Sequence, residues 1–398
     1  MSNRINHNNA VNTQTICPLI IIGTAMLLAP AEATEVSLLR TPGGGIQPQA
    51  LADSAGNVHL IYFAGEPGGG DIYYVSRMRG KGDFSSPLRV NHLARTAMAM
   101  GNIRGAQLAV GRNGRVHVAW DGMGEGVSAF SPNAKKNHPL LYTRLNDTKT
   151  AFENERNIIS SAYGLDGGSS VAADSLGNVY VVWHAPASRN VDSDAGRAVF
   201  ISRSSDEGKS FQREAPAISD SVGACACCGL RAFADSSGVA YVLFRTASEG
   251  VNRDAALLIS PRIGEPFQIA SRHPWKASTC PMSSATLTEA NGSTLAGWET
   301  AGQVYFVTVN SRTRQVSKPI SPHGGAGRKH PVIVGNDRGE TLFAWTEGMS
   351  WGKGGSVAWQ VYDREYNATS VYGRAEGVPA WSLPTAFVTP SGDFVIVY

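Results

Sequence analysis

One pattern recurs along the chain and limits its architecture more than any other feature. Seven segments share a polar turn with glycine, then alternating apolar residues, then an aromatic. They are ADSAGNVHLIYF (52–63), VGRNGRVHVAW (110–120), ADSLGNVYVVW (173–183), ADSSGVAYVLF (234–244), TEANGSTLAGW (288–298), GNDRGETLFAW (335–345) and VTPSGDFVIVY (388–398). The turn glycines Gly56, Gly114, Gly177, Gly238, Gly292, Gly339 and Gly392 recur every 47 to 63 residues. Alternation around a glycine turn predicts a β-hairpin. Most units then carry a second strand pair, such as DIYYVSR (71–77) or RAVFISRSS (197–205). Four strands in about 50 residues, repeated around a ring, describe a β-propeller.

The expected fold class is therefore all-β: a six- or seven-bladed β-propeller of four-stranded antiparallel blades. Seven turns predict six complete blades and a partial seventh. EVSLLR (35–40) is placed to join the C-terminal strands and close the ring, which would remove exposed sheet edges. Six blades with an extra hairpin fit the same pattern. The length would suit two or three ordinary domains, yet no linker or composition shift divides the chain. With 44 glycines and only 17% charged residues, a turn-rich β protein is favoured over a helical one.

Residues 1–33 read as a secretory signal. Arg4 supplies a positive start, residues 17–29 are apolar but short for a membrane span, and Ala31-Glu32-Ala33 fits a small-x-small cleavage site. The mature propeller would cover 34–398 and be exported to the periplasm or the extracellular space. No later stretch is apolar enough to span a membrane. The formal charge of +3 argues against nucleic-acid or anionic-membrane partners.

Ser204-Ser-Asp206-Glu-Gly208-Lys-Ser-Phe211 has the form S-x-D-x-G-x-x-[WF], and Ser260-x-Arg262-x-Gly264-x-x-Phe267 repeats the spacing without the Asp. In such a turn the Asp accepts local hydrogen bonds, the Gly takes a conformation other residues resist, and the aromatic packs between sheets. With these Asp-box (BNR) motifs and its fold-wide repeats, the chain resembles the sialidase-like propellers, including bacterial exported members. The resemblance implies a site on the face opposite the turn glycines. Before first strands that face holds Arg104, Asp166, Cys225 to Arg231, Cys280 to Met282, and Arg328 to His330. After second strands it holds Glu66, Asp121, His184, Arg245, Glu299 and Glu347.

Sialidases bind the substrate carboxylate with three arginines, because a planar guanidinium pairs with a carboxylate. The resemblance thus makes Arg104, Arg231, Arg245 and Arg328 candidate ligands of an acidic sugar, with His330 beside them. It makes Asp121 the candidate acid/base, with Glu299 or Glu347 in support of hydrolysis. The family's opening Arg-Ile-Pro is echoed only as Arg40-Thr41-Pro42, and no tyrosine stands out as a nucleophile. A non-catalytic propeller that holds a glycan or a protein would need none of this machinery. Trp120, Trp183, Trp298 and Trp345 end second strands and read as inter-blade packing, or as a platform for a sugar ring.

Cysteine is sparse and clustered: Cys225, Cys227 and Cys228 lie within four positions, and Cys280 precedes the next blade. Two chemistries fit these four. In an oxidising compartment disulfides are the simpler, with Cys280 stapled to the cluster. The other is a soft-metal site for copper or zinc, with Met282, His184, His273 or His330 completing it. No cofactor is otherwise required. His59 and His117 lie within second strands and are expected to be packed between sheets.

Overall fold

The computed structural model describes residues 1, 34–123, 127, 130, 138–162, 165, 167–188, 191, 193–261 and 264–398. The expected signal segment (apart from Met1), Arg262 and Asp166 lie outside them.

Each repeat becomes one antiparallel sheet. After β1 (Val36–Leu39), blade 1 comprises β2 (Ile46–Ala52), β3 (Val58–Glu66), β4 (Gly69–Arg77) and β5 (Leu88–Arg89). Blade 2 is β6 (Gln107–Val110), β7 (Val116–Asp121), β8 (Leu140–Arg144) and β9 (Arg156–Asn157). Blade 3 is β10 (Ser169–Ala173), β11 (Val179–Pro186), β12 (Arg197–Ser204) and β13 (Ala215–Pro216). Blade 4 is β14 (Arg231–Ala234), β15 (Ala240–Arg245), β16 (Ala255–Ser260) and β17 (Gln268–His273). Blade 5 has three strands, β18 (Thr286–Ala290), β19 (Ser293–Thr300) and β20 (Gln303–Asn310). Its outer edge is met only by the bridges Phe306–Ile320 and Val309–Val316. Blade 6 is β21 (Arg328–Gly335), β22 (Thr341–Glu347), β23 (Gly355–Tyr362) and β24 (Ala368–Val378). Blade 7 pairs β25 (Thr385–Val388) and β26 (Phe394–Val397) with β1.

The ring therefore has seven blades, and the N-terminal strand closes it as expected. β1 runs parallel to β26, with Val36 opposite Phe394 and Leu39 opposite Val397. An apolar alternation carries no strand direction, so the repeat foretold the partner and not its sense. The first strands of successive blades touch around the axis, from β2 through β6, β10, β14, β18, β21 and β25 back to β2.

The repeat glycines are a backbone requirement. In the third turn Asp174 Oδ1 accepts hydrogen bonds from the Leu176 and Asn178 amides, both 2.9 Å. The chain reverses through Gly177 at φ 94°, a left-handed conformation costly for residues with a Cβ. Asp53, Asp235 and Asn336 accept from their own turns in the same way.

Second strands are buried on both faces because each blade is sandwiched between two others. β7 and β15 have no exposed residue. Every pair of neighbouring blades, the seventh and first included, shares its own apolar cluster. Trp120, Trp183, Trp298 and Trp345 are buried in these clusters, so they pack blades and offer no sugar platform. His59 and His117 are buried there too, 2.7 and 2.8 Å from the hydroxyls of Tyr74 and Tyr142.

The 204–211 turn joins β12 to β13 on the same face as the turn glycines. Asp206 accepts from the Ser204 and Ser210 hydroxyls (2.7 and 2.6 Å) and from the Ser210 amide (2.9 Å). Burial pushes its carboxyl up, but these hydrogen bonds win and bring it to about 2. Phe211 meets the Tyr142 ring edge-to-face at 4.9 Å, between blades 3 and 2. The turn is a clamp between blades and lies away from the opposite, funnel face.

Candidate functional site

The funnel face gathers the starts of first strands and the ends of second strands. Several blades start their first strand through a left-handed residue that is not glycine: Gln47, Asn102, Met282, His330 and Trp381 have φ between 41° and 63°. Five such positions on one face are costly, and buried hydrogen bonds hold them. Gln47 Nε2 donates to the carbonyls of Ala99 and Trp381, both at 2.6 Å. Asn102 Nδ2 donates to Ser382 O at 2.9 Å. His330 Nδ1 lies 3.2 Å from Ser284 Oγ, and burial lowers its imidazole to about 3. A neutral, internally bonded His330 braces the channel wall.

Below this floor the first strands enclose a cavity of about 60 Å3 lined by Gln49, Arg231, Thr286, His330 and Thr385, among others. That volume holds a few waters and is far below that of a sugar pocket, several hundred Å3. Arg231 donates to Gln49 Oε1 at 2.8 Å across it. Its side chain borders the cavity yet is ringed by protein, and desolvation lowers it to about 10.

The remaining arginines and acids are placed on the predicted face, and most are committed to the protein itself. Arg328 donates Nη1 to Gln303 Oε1 (3.0 Å) and Pro322 O (3.1 Å), Nη2 to His323 O (3.1 Å), and Nε to Glu347 (3.3 Å). Arg245 donates to Arg253 O at 2.6 Å and to Glu299 O, stacks 4.8 Å from the Trp275 ring, and lies 3.9 Å from the Glu299 carboxylate. Both guanidinium groups serve as ties between loops. Glu347 also accepts from Trp345 Nε1 (2.9 Å) and Arg374 (3.2 Å). Burial would raise its carboxyl, but these donors hold it below the ordinary range. Glu299 is the opposite case: burial raises its carboxyl, although it accepts from the Gly302 amide at 2.6 Å. Asp121 is buried at the end of β7.

An aromatic feature on this face escaped the sequence reading. Trp351, in the loop after β22, is 59% exposed and meets Trp381 edge-to-face at 4.6 Å. Gly101 lies beside Trp351. A Cβ there would stand 3.4 Å from the Trp351 ring and 3.9 Å from Arg104 Nη1, so indole and guanidinium flank the same glycine. Both tryptophans fall outside the strand-end repeat that drew attention to the other four.

Cys225, Cys227 and Cys228 form a tight turn, with sulfurs 3.3 Å (225–227) and 3.6 Å (225–228) apart. All three sulfurs lie within 4.8 Å of one another. Cys280 is exposed and stands outside this group, and His184 meets Cys228 only through its backbone carbonyl, Nε2 to O 3.1 Å. Met282 is half-buried, one residue from Ser283, whose carbonyl accepts from the Gly229 amide at 3.0 Å.

Among the described residues no helix is long and apolar enough to cross a membrane. No family model matches the chain, and no curated protein matches it. Solved structures do. A protein of unknown function from Dyadobacter fermentans superposes with a TM-score of 0.54 at 14% identity, over 82% of this chain and 97% of that one. The α-L-arabinanase of Penicillium chrysogenum, complexed with arabinobiose, gives 0.52 at 12% identity over 84% and 99%. The Hadza microbial sialidase Hz136 gives 0.50 at 13% identity over 82% and 73%. At such identities the likeness is one of fold, and by fold this chain is a seven-bladed β-propeller.

Proposed function

We propose that the protein is an exported propeller that binds an acidic glycan on its funnel face. The observation that carries this reading is the exposed Trp351, braced by Trp381 and flanked by Arg104 across Gly101. A rigid aromatic face suits the apolar face of a pyranose ring, and a guanidinium beside it suits a sugar carboxylate. The sialidase and the arabinobiose-bound arabinanase of like fold lend support from outside the chain. The commitments of Arg245 and Arg328 favour binding over turnover, because neither leaves its donor fork to a substrate.

The test is binding of 3′-sialyllactose and uronic-acid-terminated oligosaccharides to the mature protein by calorimetry. Saturable binding that weakens at least tenfold in Trp351→Ala, with an unchanged melting temperature, is expected. Absence of binding by every acidic oligosaccharide overturns the reading.

A second reading, exo-sialidase-type hydrolysis, takes Asp121 as the acid/base with Glu299, a buried carboxyl that burial raises, in support. Release of free sialic acid that disappears in Glu299→Gln supports hydrolysis, and no release above background refutes it.

A further inference from the structure

We propose that Cys225, Cys227 and Cys228 form a three-coordinate thiolate site for one copper(I) ion. Among the described residues this is the one group of three or more cysteine, histidine or acidic side chains close enough to hold an ion. With metal–sulfur bonds near 2.3 Å, as in zinc thiolates, a trigonal plane needs sulfurs about 4 Å apart. Two observed separations, 3.3 and 3.6 Å, fall short of that side, and all three sulfurs lie within 4.8 Å of one another, so a small opening of the turn reaches that triangle. Three soft sulfurs, with no fourth cysteine, histidine or carboxylate in the group among the described residues, suit copper(I), whereas zinc takes four.

The turn that presents the sulfurs is pinned on several sides. The Cys225 amide donates to Arg245 O (2.9 Å), the Cys228 amide to Cys225 O (3.3 Å), the Ala224 amide to Asp194 O (3.0 Å), and the Gly229 amide to Ser283 O (3.0 Å). Cys225 and Cys228 are buried and Cys227 is partly open, so an ion has a route in and a shielded seat. Disulfide chemistry uses these residues less well. Three clustered cysteines can form one bridge and must leave a thiol over, while Cys280 stands apart.

Binding forms three sulfur–copper bonds and releases the remaining thiol protons to solvent. Copper supplied as copper(I) is neither oxidised nor reduced. The test uses the mature protein, reduced and handled without oxygen, titrated with copper(I) against bicinchoninate. Retention of one copper per chain, with a thiolate-to-copper absorption band in the ultraviolet, is expected. Cys227→Ser and Cys228→Ser should each weaken retention at least tenfold, and Cys280→Ser should stay within twofold of the wild type. Circular dichroism confirms that each variant is folded, and the wild-type titration stands without them. Complete loss of copper to the chelator overturns the proposal. So does retention of zinc in place of copper(I), or a Cys280→Ser effect as large as that of Cys228→Ser.

Discussion

Removing the Arg328 side chain separates the two roles this residue has been given. As a tie between loops, its guanidinium satisfies Gln303 Oε1, the Pro322 and His323 carbonyls and one side of Glu347, and it lies 4.8 Å from the Trp345 ring. Arg328→Ala would remove these donors from a site where the arginine side chain is 8% exposed and leave the His323 carbonyl without its arginine donor. Breaking a buried ion pair by deleting one partner costs about 3–5 kcal/mol. Glu347 keeps Trp345 and Arg374 as donors, which places the expected loss at the lower end, about 3 kcal/mol. With an unfolding entropy of about 2.1 cal/mol/K per residue over the propeller, the midpoint should fall by about 4 °C. Differential scanning calorimetry of wild type, Arg328→Ala and Arg328→Lys measures this, and lysine should recover less than half because it lacks the planar fork. An unchanged midpoint in Arg328→Ala, together with loss of acidic-sugar binding, would refute the structural role and restore the carboxylate-ligand role.

Three further outcomes follow from the same geometry. His117 and His330 are held neutral by burial, each lowered to about 3, while unfolded histidine titrates near 6.5. Because the unfolded chain binds those protons first, stability should fall as pH drops below about 6.5, by up to about 1.4 kcal/mol per pH unit per histidine. Urea unfolding of His117→Gln at pH 7 and pH 5 should show a shallower loss than wild type, and an equal loss would contradict the assignment. Gly208 has φ 76°, and a Cβ there would collide with the Tyr142 hydroxyl, so Gly208→Ala should cost more than about 1 kcal/mol and depress the melting point. An unaffected midpoint would mean that the 204–211 turn does not clamp blades 2 and 3. Glu214 accepts from the Ser160, Ser161 and Ala162 amides; burial raises its carboxyl, yet these donors bring it to about 2. Its contribution is full above the unfolded value and is lost as pH falls from about 4 toward 2, so Glu214→Gln should flatten acid unfolding in that window.

Much of the ring was legible because propeller geometry forces a short period. A turn glycine such as Gly177 at φ 94°, followed by apolar alternation into a buried Trp183, is a local device that one line of sequence displays. The funnel face followed from strand order alone, and it correctly gathered Arg245, Glu299, Arg328 and the cysteine turn. What hid was commitment. Arg328 is spent on the Pro322 and His323 carbonyls, which are backbone atoms in a loop whose path no residue type announces. The side-by-side run of adjacent loops predicts Cys280 at the cysteine turn, but its side chain is exposed and stands outside the group. Trp351 and Trp381 sit in loops, between β22 and β23 and before β25, away from the strand ends that the repeat marks. With Trp359, they are the tryptophans of the last two blades that break the strand-end pattern.

The most direct measurement is a crystal structure of the mature protein soaked with 3′-sialyllactose. The account predicts a pyranose ring lying against the exposed face of Trp351 with its carboxylate toward Arg104. Sugar seated instead beside Arg231 in the central channel, or a Trp351 face left bare at saturating ligand, would contradict it.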